Sequence, residues 1–188
     1  MRTPDFDRLY REHPDPFLVG TSWYERRKRA VVLASLVRPT YRLAWDVAAG
    51  TVHLASDLSS RCEAVVASDA SSVAVEALTS LPRNVTALTS ALPEIPDAAC
   101  AADLAVVSEV LYYLDDDARA ATVANLANLS AEIVCVQWCH HPDDAYISGP
   151  EADAELAHRL QPTFRRTVHH TDEDFILSTF VRTEESHP

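Results

Sequence analysis

The sequence predicts a single α/β domain, with a Rossmann-like seven-stranded sheet that is mostly parallel, helices on both faces and a C-terminal antiparallel strand pair. Three observations predict this fold. The 188 residues give room for one domain of ordinary size, and the hydrophobic share of 47% is that of a globular protein. Apolar strand-like runs alternate with helix-like segments along most of the chain. The last two strand-like runs are close enough to form a hairpin.

Two helices are predicted before the first strand. Asp5–Glu12 predicts a short helix that ends before Pro14. A second helix is predicted from Ser22 to about Val37, because Ser22 and Glu25 have the spacing of a capping box. Residues 1–42 hold nine basic and five acidic groups, whereas the rest of the chain is strongly acidic. We therefore expect residues 1–38 to be a helical lid segment, with an ordinary solvated helix face as the alternative.

A regular alternation of strands and helices follows. Strands are predicted at Tyr41–Ala48, Glu63–Ala67, Asn84–Leu88, Leu104–Val107 and Ile133–Trp138. Helices are predicted after Gly50 up to about Ser59, from Ser71 to Thr79, from Asp115 to Asn128, and from Glu151 to Leu160. Phe164–His169 and Phe175–Val181 are predicted to form the final strand pair.

Composition excludes several classes of function. The net charge of −12 argues against duplex nucleic acid as the main partner, because phosphate binding needs a basic face. We expect no membrane span, since the best apolar run is too short, and no signal peptide, which makes the cytoplasm the default compartment. The four cysteines are too few and too scattered for a secreted disulfide scaffold. The acidic body is expected to favour cationic substrates or to act only on solubility.

The spacing of a turn and an acid points to a nucleotide site. Gly50 lies in the turn after the first strand, and Asp69 ends the second strand about 20 residues later. Such a turn lets the backbone approach a ligand, and such an acid accepts hydrogen bonds from ribose hydroxyls. The alternatives are an ordinary turn at Gly50 and a helix N-cap at Asp69.

Three stretches of the chain resemble one known family. They are Thr21–Lys28 (TSWYERRK), Ser108–Leu114 (SEVLYYL) and His169–Phe175 (HHTDEDF). The chain resembles class I S-adenosylmethionine (SAM) dependent methyltransferases, and most nearly the small methyltransferases of the nodulation protein S type. This resemblance covers nearly the whole chain.

The chain departs from the family pattern at the turn after the first strand. An acid and three alternating glycines are usual there, and this chain has Asp46, Ala48, Gly50 and Val52. We expect Val52 to stand where the methionine part of SAM approaches the backbone. The acid that usually receives the adenine amino group is replaced by Ser90 and Ala91. These departures indicate either weaker cofactor binding or a protein that has lost its cofactor.

The resemblance implies positions for the cofactor, which is SAM with S-adenosylhomocysteine (SAH) as its product. Asp46 and Gly50 would lie near its amino acid part, Asp69 at the ribose and Ala70 beside the adenine. Further cofactor contacts are implied for Trp23, Tyr24, Arg27, Ser90, Ala91 and Ser108. Arg27 would pair with the cofactor carboxylate. Trp23 and Tyr24 as core anchors, and Arg27 as a surface charge, are the alternatives.

Four residues are candidates for contact with the methyl acceptor: Glu109, Tyr113, His140 and His141. A histidine suits a general base because imidazole titrates near neutrality, and a pair that caps the fifth strand is the alternative. No metal site is predicted, since Cys135 and Cys139 on one strand would lie about 13 Å apart, too far to share one zinc ion.

The sequence therefore predicts SAM-dependent methyl transfer to N or O of a small molecule such as an amino sugar, a glycoside or a natural-product intermediate. The alternative is a non-catalytic methyltransferase-like protein that acts as a partner subunit or a small-molecule binder. The expected partner is the small-molecule substrate, with no nucleic acid and no membrane. A homodimer or a hetero-partner is left open.

Overall fold

The computed structural model describes residues 5–78, 80–161 and 163–183. Its strands are β1 (Tyr41–Asp46), β2 (Cys62–Asp69), β3 (Val85–Thr89), β4 (Leu104–Ser108), β5 (Glu132–Trp138), β6 (Phe164–Thr171) and β7 (Phe175–Arg182). Its helices are α1 (Phe6–Glu12), α2 (Trp23–Ser35), α3 (His53–Leu58), α4 (Ser72–Glu76), α5 (Asp116–Leu129) and α6 (Gly149–Leu160).

The strands form one seven-stranded sheet in the order β3-β2-β1-β4-β5-β7-β6. The first five strands pair in parallel, and β7 runs antiparallel between β5 and β6. The predicted Rossmann-like fold with a terminal antiparallel pair is confirmed. The strand order reverses between β1 and β4, and in open α/β sheets ligands bind beyond the carboxyl ends of the strands at this point.

Apolar side chains cover both faces of the sheet, which explains the continuous apolar runs in its central strands. On one face Trp45 and Val107 pack in a cluster that also includes residues of α5 and α6. On the other face Ala44 and Val106 pack with residues of α2 and α3. Because the centre of the sheet is fixed from both sides, the loops at its carboxyl edge have a rigid base.

Helix boundaries differ from the sequence prediction at several places. The predicted capping box at Ser22 is wrong, because the Ser22 side chain makes no cap bond and Glu25 binds Lys28 instead. A capping box is present at Ser148 and Glu151, at the start of α6. The expected end of the fourth helix at Thr79 lies outside the described residues.

Two boundaries shift for local reasons. The first strand ends at Asp46 instead of Ala48, because the chain turns into a bend with a φ of +52° at Gly50. Helix α2 ends at Ser35, and the backbone N–H of Val37 donates to the Glu132 carboxylate. None of the helices within the described ranges is long and apolar enough to cross a membrane.

Candidate active site

A cavity of about 580 Å³ opens at the carboxyl edge of the sheet, where β1 and β4 diverge. Its walls come from α1, from α2, and from the loops after β1, β2, β3 and β4. Aromatic side chains form much of the wall: Phe6, Tyr10, Phe17, Tyr24, Tyr112, Tyr113 and Trp138. A cavity of this size and apolar character, with a few polar groups, is typical of a small-molecule site.

The loops after β1 and β2 are tied together by Asp69. Its two carboxylate oxygens accept hydrogen bonds from the backbone N–H of Gly50, at 2.8 Å, and of Ser71, at 2.9 Å. Burial raises the pKa of Asp69, and these two backbone hydrogen bonds oppose the rise. The side chain that caps α4 is Ser71, so the alternative interpretation of Asp69 as the helix N-cap is wrong. Each Asp69 oxygen can still accept another hydrogen bond.

Asp46 is a buried carboxylate in the wall of the cavity, with 1% of its surface exposed. Neither of its oxygens has a hydrogen-bond partner among the described residues. Burial raises its pKa to about 7 and the nearby charge of Asp69 adds to the effect, while the backbone N–H of Ala55, which lies near the carboxylate without meeting the criteria of a hydrogen bond, opposes it. Since a buried carboxylate without partners is costly, this position suits a ligand that brings a hydrogen-bond donor or a positive charge.

The raised pKa of Asp46 predicts that the stability of the protein depends on pH. Its pKa rises from 3.8 in the unfolded chain to about 7 in the native one, so between these values the native state binds more protons. The free energy of unfolding contributed by this group therefore falls as pH rises from about 4 to 7. Asp46→Asn is expected to flatten this part of the profile, as measured by urea unfolding at several pH values. Equal slopes in the two proteins would contradict the assignment.

Val52 lies away from the cavity. Its backbone is left-handed, with φ 52° and ψ 18°, and its side chain is 6% exposed. The side chain packs in the core with Leu54 and Leu58, and Val52 is not among the residues that line the cavity. The expectation that Val52 stands against the bound cofactor is therefore not met. The left-handed backbone turns this β-branched side chain into the core.

Helix α1 lies against the edge of the cavity. Its Asp7 accepts a hydrogen bond from the Ser71 hydroxyl at 2.7 Å, and its Phe6 ring meets Tyr113 edge-on at 5.5 Å between ring centres. A Cβ atom at Gly50 would come within 2.6 Å of the Tyr10 hydroxyl oxygen. The absence of a side chain at Gly50 therefore allows α1 to approach the turn.

A charged cluster forms another part of the wall. The Lys28 ammonium is almost fully buried and donates to Glu25 at 2.7 Å and to Glu109 at 2.5 Å. The Tyr24 hydroxyl donates to the other oxygen of Glu109 at 2.8 Å. Glu109 follows β4 and has a φ of +52°, which is uncommon for a residue with a side chain. Burial raises the pKa of Glu25, and Lys28 opposes that rise.

Most of the predicted site residues line this cavity: Tyr24, Asp46, Gly50, Asp69, Ala70, Ser90, Ala91, Ser108, Glu109 and Tyr113. Four others do not. Trp23 is 70% exposed, and Arg27 forms an ion pair with Asp172 on the β6–β7 turn. His140 lies 3.4 Å from Asp174, and the His141 side chain is exposed outside the cavity.

Among the residues of the cavity wall that the sequence did not single out as site residues are Phe6, Tyr10, Phe17, Glu25 and Lys28. The first two stand one helical turn apart, a spacing that indicates a shared face without showing what it covers. The composition sets Lys28 apart, because it is the single lysine among the 16 lysine and arginine residues. In the structure Lys28 is a buried cation between two carboxylates.

The polar groups of the cavity fit a nucleoside cofactor with a charged amino acid part. The two unpartnered oxygens of Asp46 suit an ammonium group. Gly50 lies in the cavity wall beside Asp69, and Asp69 can accept hydrogen bonds from vicinal hydroxyls. Ser90 adds a hydroxyl to the cavity wall.

Comparison with solved structures gives close matches of fold. A Pseudomonas syringae protein that carries a methyltransferase assignment is 30% identical, with a TM-score of 0.72, over 86% of this chain and 100% of that chain. The N-methyltransferase NodS from Bradyrhizobium japonicum WM9, solved with SAH, is 18% identical, with a TM-score of 0.74, over 94% of this chain and 97% of that chain. DhpI, also solved with SAH, is 18% identical, with a TM-score of 0.70, over 94% of this chain and 93% of that chain. No family model and no curated protein matches the sequence.

Proposed function

We propose that this chain, which belongs to the class I methyltransferase family, transfers a methyl group from SAM to N or O of a small molecule. An amino sugar, a glycoside or a natural-product intermediate is the acceptor we consider first. The observation that carries the proposal is the unpartnered Asp46 carboxylate in the cavity wall, beside Gly50 and Asp69 at the reversal of strand order. We also propose that the chain is of the nodulation protein S type.

The cofactor would be held mainly by residues at the ends of β1 and β2. Asp46 would accept from its ammonium group, and Asp69 would accept from its ribose hydroxyls. Gly50 would form part of the wall beside the cofactor, and its missing side chain leaves room for Tyr10 of α1. Ala70, Ser90 and Ala91 would surround the adenine, and Tyr24 and Ser108 would complete the wall. Trp23 and Arg27 receive no part in this proposal, since they lie outside the cavity.

The acceptor would lie against Glu109 and Tyr113. When bound, SAM supplies a methyl group activated by a sulfonium, so the chain must mainly hold the acceptor atom in line with it. Glu109 can accept a hydrogen bond from the N–H or O–H of the acceptor, which orients the attacking lone pair, and it can take up the proton that this group loses as the new bond to the methyl carbon forms and the bond from sulfur breaks. The aromatic side chains of the wall would limit the access of water to the reacting atoms. His140 and His141 receive no part, because neither lines the cavity.

We propose further that the chain is one methyltransferase-like domain in which residues 1–38 form a lid. Contacts of Asp7 with Ser71 and of Phe6 with Tyr113 support this proposal, since they hold α1 over the cavity edge. No contact that the structure describes favours the non-catalytic alternative over an enzyme.

The position of Val52 predicts that its replacement leaves cofactor binding nearly unchanged. Val52→Gly removes a side chain that packs in the core and does not line the cavity. The affinity for SAH is expected to stay within about threefold of wild type. The loss of buried apolar contact, worth roughly 1.5 to 3 kcal/mol, is offset in part, because glycine removes the roughly 1 to 2 kcal/mol cost of a left-handed L-residue. Titration calorimetry and thermal unfolding measure the two effects. A large gain in SAH affinity would mean that Val52 does obstruct the site.

Methyl transfer itself tests the proposal. The wild-type chain is incubated with SAM labelled in its methyl group and with a panel of amines, amino sugars, glycosides and phenols. Label in any acceptor supports the proposal, provided that Asp69→Ala abolishes it. If no acceptor is labelled and neither SAM nor SAH binds, the proposed function is wrong.

A further inference from the structure

We propose that Lys28, anchored by Glu25, is a positioning residue that fixes the Glu109 carboxylate in the cavity, so that the acceptor is recognised through a hydrogen-bond donor or a positive charge. This inference rests on the proposed function and concerns the acceptor half of the same site.

Both oxygens of Glu109 are held by separate donors. Tyr24 donates to one at 2.8 Å and Lys28 to the other at 2.5 Å. The Tyr24 ring also lies under the Lys28 ammonium, 4.9 Å from its centre, and meets the Phe175 ring edge-on. Two donors on different turns of α2 leave the carboxylate little freedom to rotate.

The backbone of Glu109 adds to this constraint. Its φ of +52° is costly for a residue with a side chain, and its N–H donates to the carbonyl of Val136 at 2.8 Å. Such a conformation persists only where the surroundings over-determine it, and it often marks a functional position. The Glu109 side chain is 22% exposed and lines the cavity, so it can meet a ligand.

Glu25 anchors Lys28 in turn. It lies one helical turn before Lys28, and the two side chains are 7% and 4% exposed. The cluster of two carboxylates and one ammonium carries one net negative charge. If Lys28 were paired with Glu109 alone, its positive charge would cancel the negative charge of Glu109. The extra carboxylate lets Lys28 hold Glu109 while the cavity wall stays anionic.

This arrangement predicts a preference for cations that depends on the position of Glu109. We would measure the affinity of the wild-type chain for benzylammonium and benzoate, two ions of similar size and opposite charge, by NMR titration with saturating SAH. Benzylammonium is expected to bind at least about tenfold more tightly than benzoate, because one charge-assisted hydrogen bond contributes about this much to the affinity. Equal affinity, or tighter binding of benzoate, would overturn the proposal.

Variants separate positioning from simple charge. The double variant Glu25→Gln/Lys28→Met keeps the net charge of the cluster but removes the donor to Glu109, and we expect it to lose the preference for benzylammonium. Lys28→Met alone makes the wall more negative, so charge alone would strengthen the preference, whereas positioning predicts its loss. Glu109→Gln is expected to lose it as well.

Three results would overturn the proposal: an unchanged preference in the double variant, a stronger one in Lys28→Met, or an unchanged one in Glu109→Gln. Arg26→Met, at an exposed position of the same helix, is the matched control and should keep the preference. Thermal unfolding checks each variant, and the double variant carries the test if Lys28→Met does not fold. The titrations are repeated without SAH, so that a failure of SAH to bind, which counts against the proposed function, is seen separately.

Discussion

Replacement of Asp69 by alanine is expected to weaken SAH binding by about 100-fold or more. The carboxylate accepts the backbone N–H groups of Gly50 and Ser71, and its remaining capacity is assigned to the ribose hydroxyls. Hydrogen bonds to a charged group contribute about 1.5 to 3 kcal/mol each, so the loss of two explains a change of this size. Titration calorimetry with SAH measures it directly.

The control for this variant lies on the same strand. Glu63→Gln changes an exposed carboxylate of β2 far from the cavity and should leave SAH affinity unchanged. Asp69→Asn keeps an acceptor oxygen and is expected to fall between alanine and wild type. If Asp69→Ala binds SAH as tightly as wild type, the assignment of the ribose position is wrong.

Gly50→Ala is the second change with a large expected effect. Its φ of +52° costs an L-residue roughly 1 to 2 kcal/mol, and the new Cβ would lie 2.6 Å from the Tyr10 hydroxyl oxygen. The Tyr10 side chain, or helix α1 together with it, must then shift away from the turn. We expect lower stability and an SAH affinity at least about tenfold weaker, because the bend and the lid both move.

A double variant divides this effect into its two causes. Tyr10→Phe removes the hydroxyl, and the next atom of that ring is 3.8 Å from the new Cβ, an ordinary contact distance. Gly50→Ala/Tyr10→Phe should therefore recover the part of the stability lost to the clash while the backbone cost remains. Complete additivity of the two single variants would contradict a contact between α1 and the turn. Urea unfolding of the four proteins gives the coupling energy.

The local pattern of apolar residues was sufficient to predict the strands of the sheet. Apolar runs and turn spacing predicted all seven strands, because a parallel strand buried on both faces must be apolar along its length. The same reasoning located Gly50 and Asp69, since both stand at strand ends in their own segments. Their hydrogen bond joins residues 19 apart in sequence and is a direct consequence of the β1–β2 pairing.

Side-chain partners across the fold could not be predicted in this way. The sequence shows three consecutive basic residues after Arg26, and only the rotation of α2 decides that Lys28 faces the cavity while Arg27 meets Asp172. The capping-box spacing at Ser22 likewise did not reveal that Glu25 has a stronger partner in Lys28. The expected position of Val52 was wrong because its left-handed backbone directs the side chain into the core and not toward the cavity.

Titration calorimetry of the wild-type chain with SAH tests the central claim most directly. The unpartnered Asp46, the Gly50 bend and Asp69 predict binding with a dissociation constant on the order of micromolar. They also predict proton release on binding near neutral pH, because a bound ammonium favours ionised Asp46, whose pKa is raised to about 7. The measured heat should therefore vary with the ionisation enthalpy of the buffer in wild type and not in Asp46→Asn. Absence of binding up to millimolar SAH would contradict the assignment of this cavity as a SAM site.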